Sequence, residues 1–287
     1  MTNLRVLDLF SGIGGFSLGL ERTGGFKTVA FCEIEDYPRR VLRKHWTEVT
    51  CYEDVRTLTA DNLAADGIAV DVICGGFPCQ DISLAGDRAG IDAERSGLWS
   101  EFSRLIGEIR PSYVIVENVA NLLAGPSERP GRWFGRVLGD LASIGYDAEW
   151  HCIPASAIGA EHDRDRVWII AYPDEVRELQ GRKQEQRGRV GNRAETVTSD
   201  ADQARYTGRV QARANHAHVA RFQPWLRSAL DNAHPLSREH WDHKPVLGRG
   251  VHGVPDRLDR IGALGNAVHP KIPEMIGRAI LAAEGME

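Results

Sequence analysis

The stretch RVLDLFSGIGGFSLGL, Arg5 to Leu20, decides the fold. It opens as a short apolar run, RVLDLF, in the composition of a buried strand. Ser11-Gly12-Ile13-Gly14-Gly15 then breaks the run, and Phe16, Leu18 and Leu20 begin a helical pattern. A strand, a glycine-rich turn and a helix make the first unit of a nucleotide-binding α/β fold. The glycines let the backbone approach a cofactor closely, and the helix start favours a negative group. A dinucleotide fingerprint would need a further glycine where this chain has Ser17, which counts against a nicotinamide oxidoreductase.

Working outward, residues 27–32 read as a second strand with Glu33 at its end. A carboxylate there suits both hydroxyls of a ribose, and equally suits the start of a helix over 36–46. A third strand near 49–52 precedes Asp54 and Val55. An Asp at that edge could accept from an adenine amine while the Val packs on the ring.

The stretch VDVICGGFPCQDIS, residues 70–83, is a buried parallel strand broken by Gly75 and Gly76. Pro78 stiffens the turn that follows, so Cys79 stands just past the carboxyl end of a strand, where ligands of open α/β sheets sit. Two readings of Cys79 stand side by side, a presented nucleophile and a small buried hydrophobe. Residues 84–96, rich in Gly, Asp and Arg, read as a lid. A helix over 98–109 and a strand over 112–117 follow, and the strand ends in Glu117. A half-desolvated acid there holds its proton more tightly than in water. Further on, a helix over 132–144, a strand over 146–153 and a last strong strand over 167–172 complete the sheet. Arg164 and Arg166, two apart, point to one side of that last strand.

Composition bounds these readings. The chain has 287 residues, 42% hydrophobic and 26% charged, which fits one large or two unequal domains. No run of ~18 apolar residues and no leader pattern stands out, so the sequence reads as cytoplasmic, with no membrane partner. Five cysteines without ligand spacing argue against disulfides and against any metal site. The net charge of −5 is unevenly spread. Residues 174–249 hold 14 Lys+Arg against 10 Asp+Glu, while the rest holds 21 against 30. A basic, His-rich segment on an acidic body can meet a phosphate backbone.

Together these pieces resemble the cytosine-5 DNA methyltransferase family. The strings that carry the resemblance are DLFSGIGG at 8–15, Glu33, GGFPCQ at 75–80, ENV at 117–119, RDRVWII at 164–170 and GNAV at 265–268. They stand in the family's order and span almost the whole chain. The resemblance implies an α/β, S-adenosylmethionine-dependent, Rossmann-like sheet with a small, irregular target-recognition domain. It implies a catalytic, cofactor-binding domain over 1–173, a recognition region over 174–250, and a C-terminal helix over 251–287 returning to the first strand.

It implies also that Cys79 attacks C6 of a flipped cytosine while Glu117 holds N3 and the exocyclic amine. Arg164 would hold O2, and Arg166 would support the site. Phe10, Ser11, Gly12, Gly14, Gly15, Glu33, Asp54, Val55, Pro78, Leu98, Asn266 and Val268 would hold S-adenosylmethionine. Gln80, Ser83 and Arg88 would contact double-stranded DNA. The protein is expected to be a monomer; the sequence leaves open whether a cognate restriction endonuclease exists as a separate protein. An RNA cytosine methyltransferase and a catalytically silent DNA-binding relative are the alternatives. Two positions depart from the family pattern, His162 in place of a common Gln and His269 within a frequent Val-Pro-Pro ending.

Overall fold

The computed structural model describes residues 3–78, 97–125, 131–160, 164–174 and 263–286. Cys79, Gln80, Ser83 and Arg88, and the recognition region from residue 175 on, lie outside the described residues.

Alternation of strand and helix patterns is realised as follows. β1 (Leu4–Leu9) leads into α1 (Gly15–Glu21), β2 (Phe26–Cys32) into α2 (Asp36–His45), and β3 (Thr50–Tyr52) into α3 (Ala60–Ala65). β4 (Val72–Gly76), α4 (Gly97–Ile109), β5 (Tyr113–Val119), α5 (Arg132–Ser143), β6 (Tyr146–Ile153), β7 (Arg166–Pro173) and α6 (Lys271–Ala283) follow. Among the described residues the strands form one sheet in the order β3-β2-β1-β4-β5-β7-β6. β1 to β5 pair in parallel, and β7 alone runs against its neighbours β5 and β6. The order reverses between β1 and β4, and a crevice opens at the carboxyl ends on either side of such a point.

Period-two alternation divides each strand between two layers. Leu7, Leu9, Ile73, Val114 and Val116 join Trp99, Phe102 and Leu105 of α4 and Val137 and Leu141 of α5. On the other face Val6, Val72, Ile115 and Trp168 join Phe16 and Leu20 of α1 and Ile276 and Ile280 of α6. The C-terminal helix therefore comes back against the first strand–helix unit. Both faces of the sheet are covered, which is why its central strands read as continuous apolar runs. No helix among the described residues is long and apolar enough to cross a membrane.

Two boundaries depart from the sequence expectation. Gly75 and Gly76 do not break β4 but stay in its ladder opposite Val116 and Glu117, where a Cβ on Gly75 would meet the Leu9 carbonyl of β1 at 2.2 Å. β5 does not stop at Glu117 but pairs with β7 through Val119, which lies opposite Arg166. Glu117 is thus inside a strand, not at a free end. Its backbone is held by a neighbour that only the tertiary fold supplies.

Candidate functional site

The site is built at the carboxyl edge of β1, β2, β4 and β5. After β1 the chain turns sharply. Phe10 takes φ 53°, a left-handed conformation that costs a non-glycine residue about 1–2 kcal/mol. Gly12 and Gly14 follow at φ 52° and 83°. Phe10 stacks on Phe102 of α4 with ring centroids 6.3 Å apart, which helps to hold the strained turn. Ser11 closes it from below. Its hydroxyl donates to the Asp8 carbonyl at 2.6 Å and accepts from the Cys32 amide at 3.3 Å, joining the ends of β1 and β2.

Glu33, the residue after β2, is buried at this turn. Its Oε2 accepts from the Gly12 amide at 2.7 Å and its Oε1 from the Glu35 amide at 2.8 Å. Burial raises its pKa, and these two amides oppose the rise. The Ile34 amide hydrogen-bonds the same carboxylate and also opposes the rise. A Cβ added at Gly12 would project into open space beside this carboxylate. Glycine backbone, open space and an acceptor-only carboxylate fit a ribose-bearing cofactor.

Gly15 brings the distant GNAV string to the same turn. A Cβ there would lie 2.4 Å from the Val268 carbonyl, so only glycine permits the approach. Asn266, two residues earlier, is exposed. Leu98 is partly buried and packs on the same core cluster as Phe10. Val55 is buried, and Asp54 beside it is bound by Arg56. Hydrogen bonds from the Arg56 side chain, then from its amide, hold Asp54 below the usual carboxylate range.

The second half of the site lies between β4, β5 and β7. Gly76 pairs with Glu117 across the parallel ladder, and a Cβ on it would come within 2.8 Å of Glu117 Oε2. Arg166 Nε binds Glu117 Oε1 at 2.8 Å. Burial raises the pKa of Glu117, against the charges of Arg166 and then Arg164. Arg164 makes a different contact, donating to the Gly265 carbonyl of the GNAV string. The two arginines thus divide their work, one fixing the acid and the other tying that edge to the GNAV string. Pro78 is exposed at the end of the described β4 turn.

Three residues here were not singled out from the sequence. Asn118 is buried and donates through Nδ2 to the Phe77 carbonyl at 3.1 Å, two residues before Cys79. Its Oδ1 accepts from the Val119 amide at 2.8 Å. Asp8 is fully buried beneath the turn, where Ser17 Oγ donates to its Oδ2 at 2.7 Å. Burial pushes the Asp8 pKa up to about 8, against the Ser17 hydrogen bonds. Ser17, which departs from the dinucleotide fingerprint, is thereby accounted for: it answers the acid under it. Arg104 of α4 is the third. The signal for Asp8 was present, an acid within an apolar strand; for Arg104 the helical spacing marks Glu101 and Glu108, but nothing in the sequence marks the Val55 and Leu58 carbonyls that it also binds.

Among the described residues, the strand order with β7 antiparallel and the glycine-and-carboxylate crevice are those of an S-adenosylmethionine-dependent methyltransferase fold. The sequence model of the C-5 cytosine-specific DNA methylase family matches residues 4–243, and the chain belongs to that family. A type II methyltransferase of Staphylococcus aureus, M.Sau3AI, is 32% identical over 187 residues, covering 61% of this chain and 45% of the relative. M.CviJI, a type II methyltransferase of Paramecium bursaria Chlorella virus IL3A, is 34% identical over 180 residues, 61% of this chain and 46% of its own. A solved prophage-encoded chain from E. coli, described as a DNA modification methyltransferase, aligns with a TM-score of 0.52 and 27% identity, over 61% of this chain and 48% of that one. The chain spans about half the length of the curated relatives it matches.

Proposed function

We propose that this protein is a DNA (cytosine-5-)-methyltransferase that uses S-adenosylmethionine and attacks its target base through Cys79. The observation that carries the proposal is the juxtaposition of Gly76, Glu117 and Arg166. It puts a largely buried acid beside the strand that leads into Cys79, on the same sheet edge as the Glu33 turn. Family membership supports the same reaction class.

Cytosine C5 is a poor nucleophile until a group adds at C6, and C6 is reached only when the base leaves the helical stack. A thiolate suits that addition, although a free Cys with pKa about 8.5 is mostly protonated near neutrality. Cys79 forms the bond to C6 and leaves again as the C5 proton is lost to water. Glu117, kept protonated to higher pH by burial, donates at N3 and relieves the negative charge that the addition creates. Arg166 orients Glu117, and Arg164 holds O2 of the base. S-adenosylmethionine supplies an electrophilic methyl group when bound. Glu33 would take its ribose hydroxyls, Asp54 and Val55 its adenine, and the turn 10–15 with Pro78, Leu98, Asn266 and Val268 the remainder.

Double-stranded DNA is the substrate partner in this reading, with Gln80, Ser83 and Arg88 on the catalytic side and the region 174–250 choosing the site. A separate endonuclease would share that site. The test is bisulfite sequencing of host DNA and RNA from cells producing the wild type or Cys79→Ser. New methylated cytosines in DNA, at one sequence and with the wild type only, are expected. Methylation confined to RNA, or none, overturns the proposal.

A further inference from the structure

The loop that joins β3 to α3 carries Asp54 and Val55, and its main chain is held from α4. Arg104 Nη2 donates to the Val55 carbonyl at 3.0 Å and to the Leu58 carbonyl at 2.8 Å. Its Nε donates to Glu101 at 2.7 Å and its Nη1 to Glu108 at 2.7 Å. Glu108, one helical turn on, accepts the Ala60 amide at 3.1 Å through its other oxygen. Every nitrogen of one guanidinium is therefore engaged, two bonds on the loop and two on the carboxylates that fix its own plane. A lysine, with one nitrogen, cannot reproduce that fork.

Within the loop the Thr57 and Leu58 amides both bond to the Asp54 carbonyl at 3.1 Å, and Val55 and Leu58 are buried. The loop lies close to the ribose acid. The Glu33 amide donates to the Tyr52 carbonyl at 3.0 Å, two residues before Asp54. The same helix carries Phe102, stacked on Phe10 of the glycine turn. α4 thus braces the crevice from below on both sides.

We infer that Arg104 is a positioning residue of the cofactor site, fixing the Asp54–Leu58 loop so that Asp54 and Val55 are presented to the adenine. This rests on the cofactor reading above. An arginine that served fold stability alone would affect all parts of the ligand alike. One that acts through the loop is coupled to Asp54 and indifferent to Glu33.

The experiment is calorimetric titration of S-adenosylmethionine into the full chain carrying Asp54→Ala, Glu33→Ala, Arg104→Gln, and each of the first two combined with the third. Hydrogen exchange at the Thr57 and Leu58 amides is followed in parallel, and Arg104→Lys serves as a milder variant. Arg104→Gln is expected to weaken binding by roughly tenfold to a hundredfold. Asp54→Ala should then cost little more, while Glu33→Ala should cost its full factor. kcat at saturating cofactor should stay within about threefold of wild type, and the two loop amides should exchange faster. If Arg104→Gln does not fold, the same pattern in reduced form is expected of Arg104→Lys. Wild-type affinity in a folded variant, or losses that multiply equally with both partners, overturns the inference. If the wild type binds no S-adenosylmethionine yet the loop amides still loosen, the cofactor reading fails and Arg104 is a structural clamp only. If binding is normal and the amides do not change, the cofactor reading stands and the role of Arg104 falls.

Discussion

Arg166 Nε stands 2.8 Å from Glu117 Oε1, and the two side chains retain only 21% and 12% of their exposure. β7 is the antiparallel strand of the sheet, and it enters the ladder at Arg166, opposite Val119. The acid of one strand is therefore set by the first residue of another. Arg166 opposes the burial that raises the Glu117 pKa, so its removal lets that pKa climb further. Arg166→Gln is expected to move the alkaline limb of the kcat profile to higher pH, because in the proposed mechanism Glu117 acts in its protonated form. kcat should fall by roughly a hundredfold. A pH–rate profile with an unmoved limb would contradict the role given to Glu117.

Asn118 reaches across to the Phe77 carbonyl and so fixes the main chain just before Pro78. Asn118→Ala should lower kcat by about tenfold to a hundredfold through misalignment of the nucleophile. Cofactor affinity should stay within about twofold. Single-turnover rates and a cofactor titration on the same preparation separate the two, and an equal loss in both would show Asn118 to be general scaffolding.

The close approach of Gly15 to the Val268 carbonyl leaves no room for a side chain. Gly15→Ala is expected to destabilise the protein by roughly 1–3 kcal/mol and to weaken cofactor binding as the GNAV string is displaced. Gly139, inside α5 with open space around it, is the control. Gly139→Ala should stabilise by about 0.5–1 kcal/mol. Urea melts of the two variants check both signs.

Asp8 links the fold to pH. Its pKa in the folded protein is pushed up to about 8 by burial, whereas an unfolded Asp titrates near 3.9. Between those values the folded state keeps a proton that the unfolded state has lost. Stability is fully present below about pH 4 and declines as pH rises towards about 8, by several kcal/mol in total. Asp8→Asn, neutral throughout, should lack that decline, so its stability relative to wild type should improve steadily from about pH 5 to about pH 8. Parallel stability curves would show Asp8 to be ionised in the fold.

The strands were legible because the central ones are buried on both faces and so read as apolar runs, as in RVLDLF and VDVIC. The glycine turn, Glu33 and Glu117 were legible as local strings. What joins them was not. β5 runs past Glu117 because β7 pairs with it, a contact between segments about 50 residues apart. α3 went unread because six residues carry too little periodicity, although the Thr59–Asn62 capping box marks its start. Arg104 binds main-chain carbonyls 46 and 49 residues away, and a carbonyl has no sequence identity to recognise. Arg164 and Arg166 were read as a pair on one face. Which of them takes Glu117 and which takes Gly265 is decided by where the GNAV string returns.

In the proposed reaction Cys79 bonds covalently to C6 of a cytosine in DNA. The most direct measurement is denaturing electrophoresis of the protein incubated with S-adenosylmethionine and a duplex carrying 5-fluorocytosine at the methylated site. Fluorine at C5 cannot leave as a proton does, so the Cys79 bond should not be released. A stable protein–DNA adduct is expected with the wild type, dependent on cofactor, none with Cys79→Ser, and a cross-linked peptide containing Cys79. Methyl transfer by Cys79→Ser, or an adduct mapped to another residue, would contradict the proposed reaction.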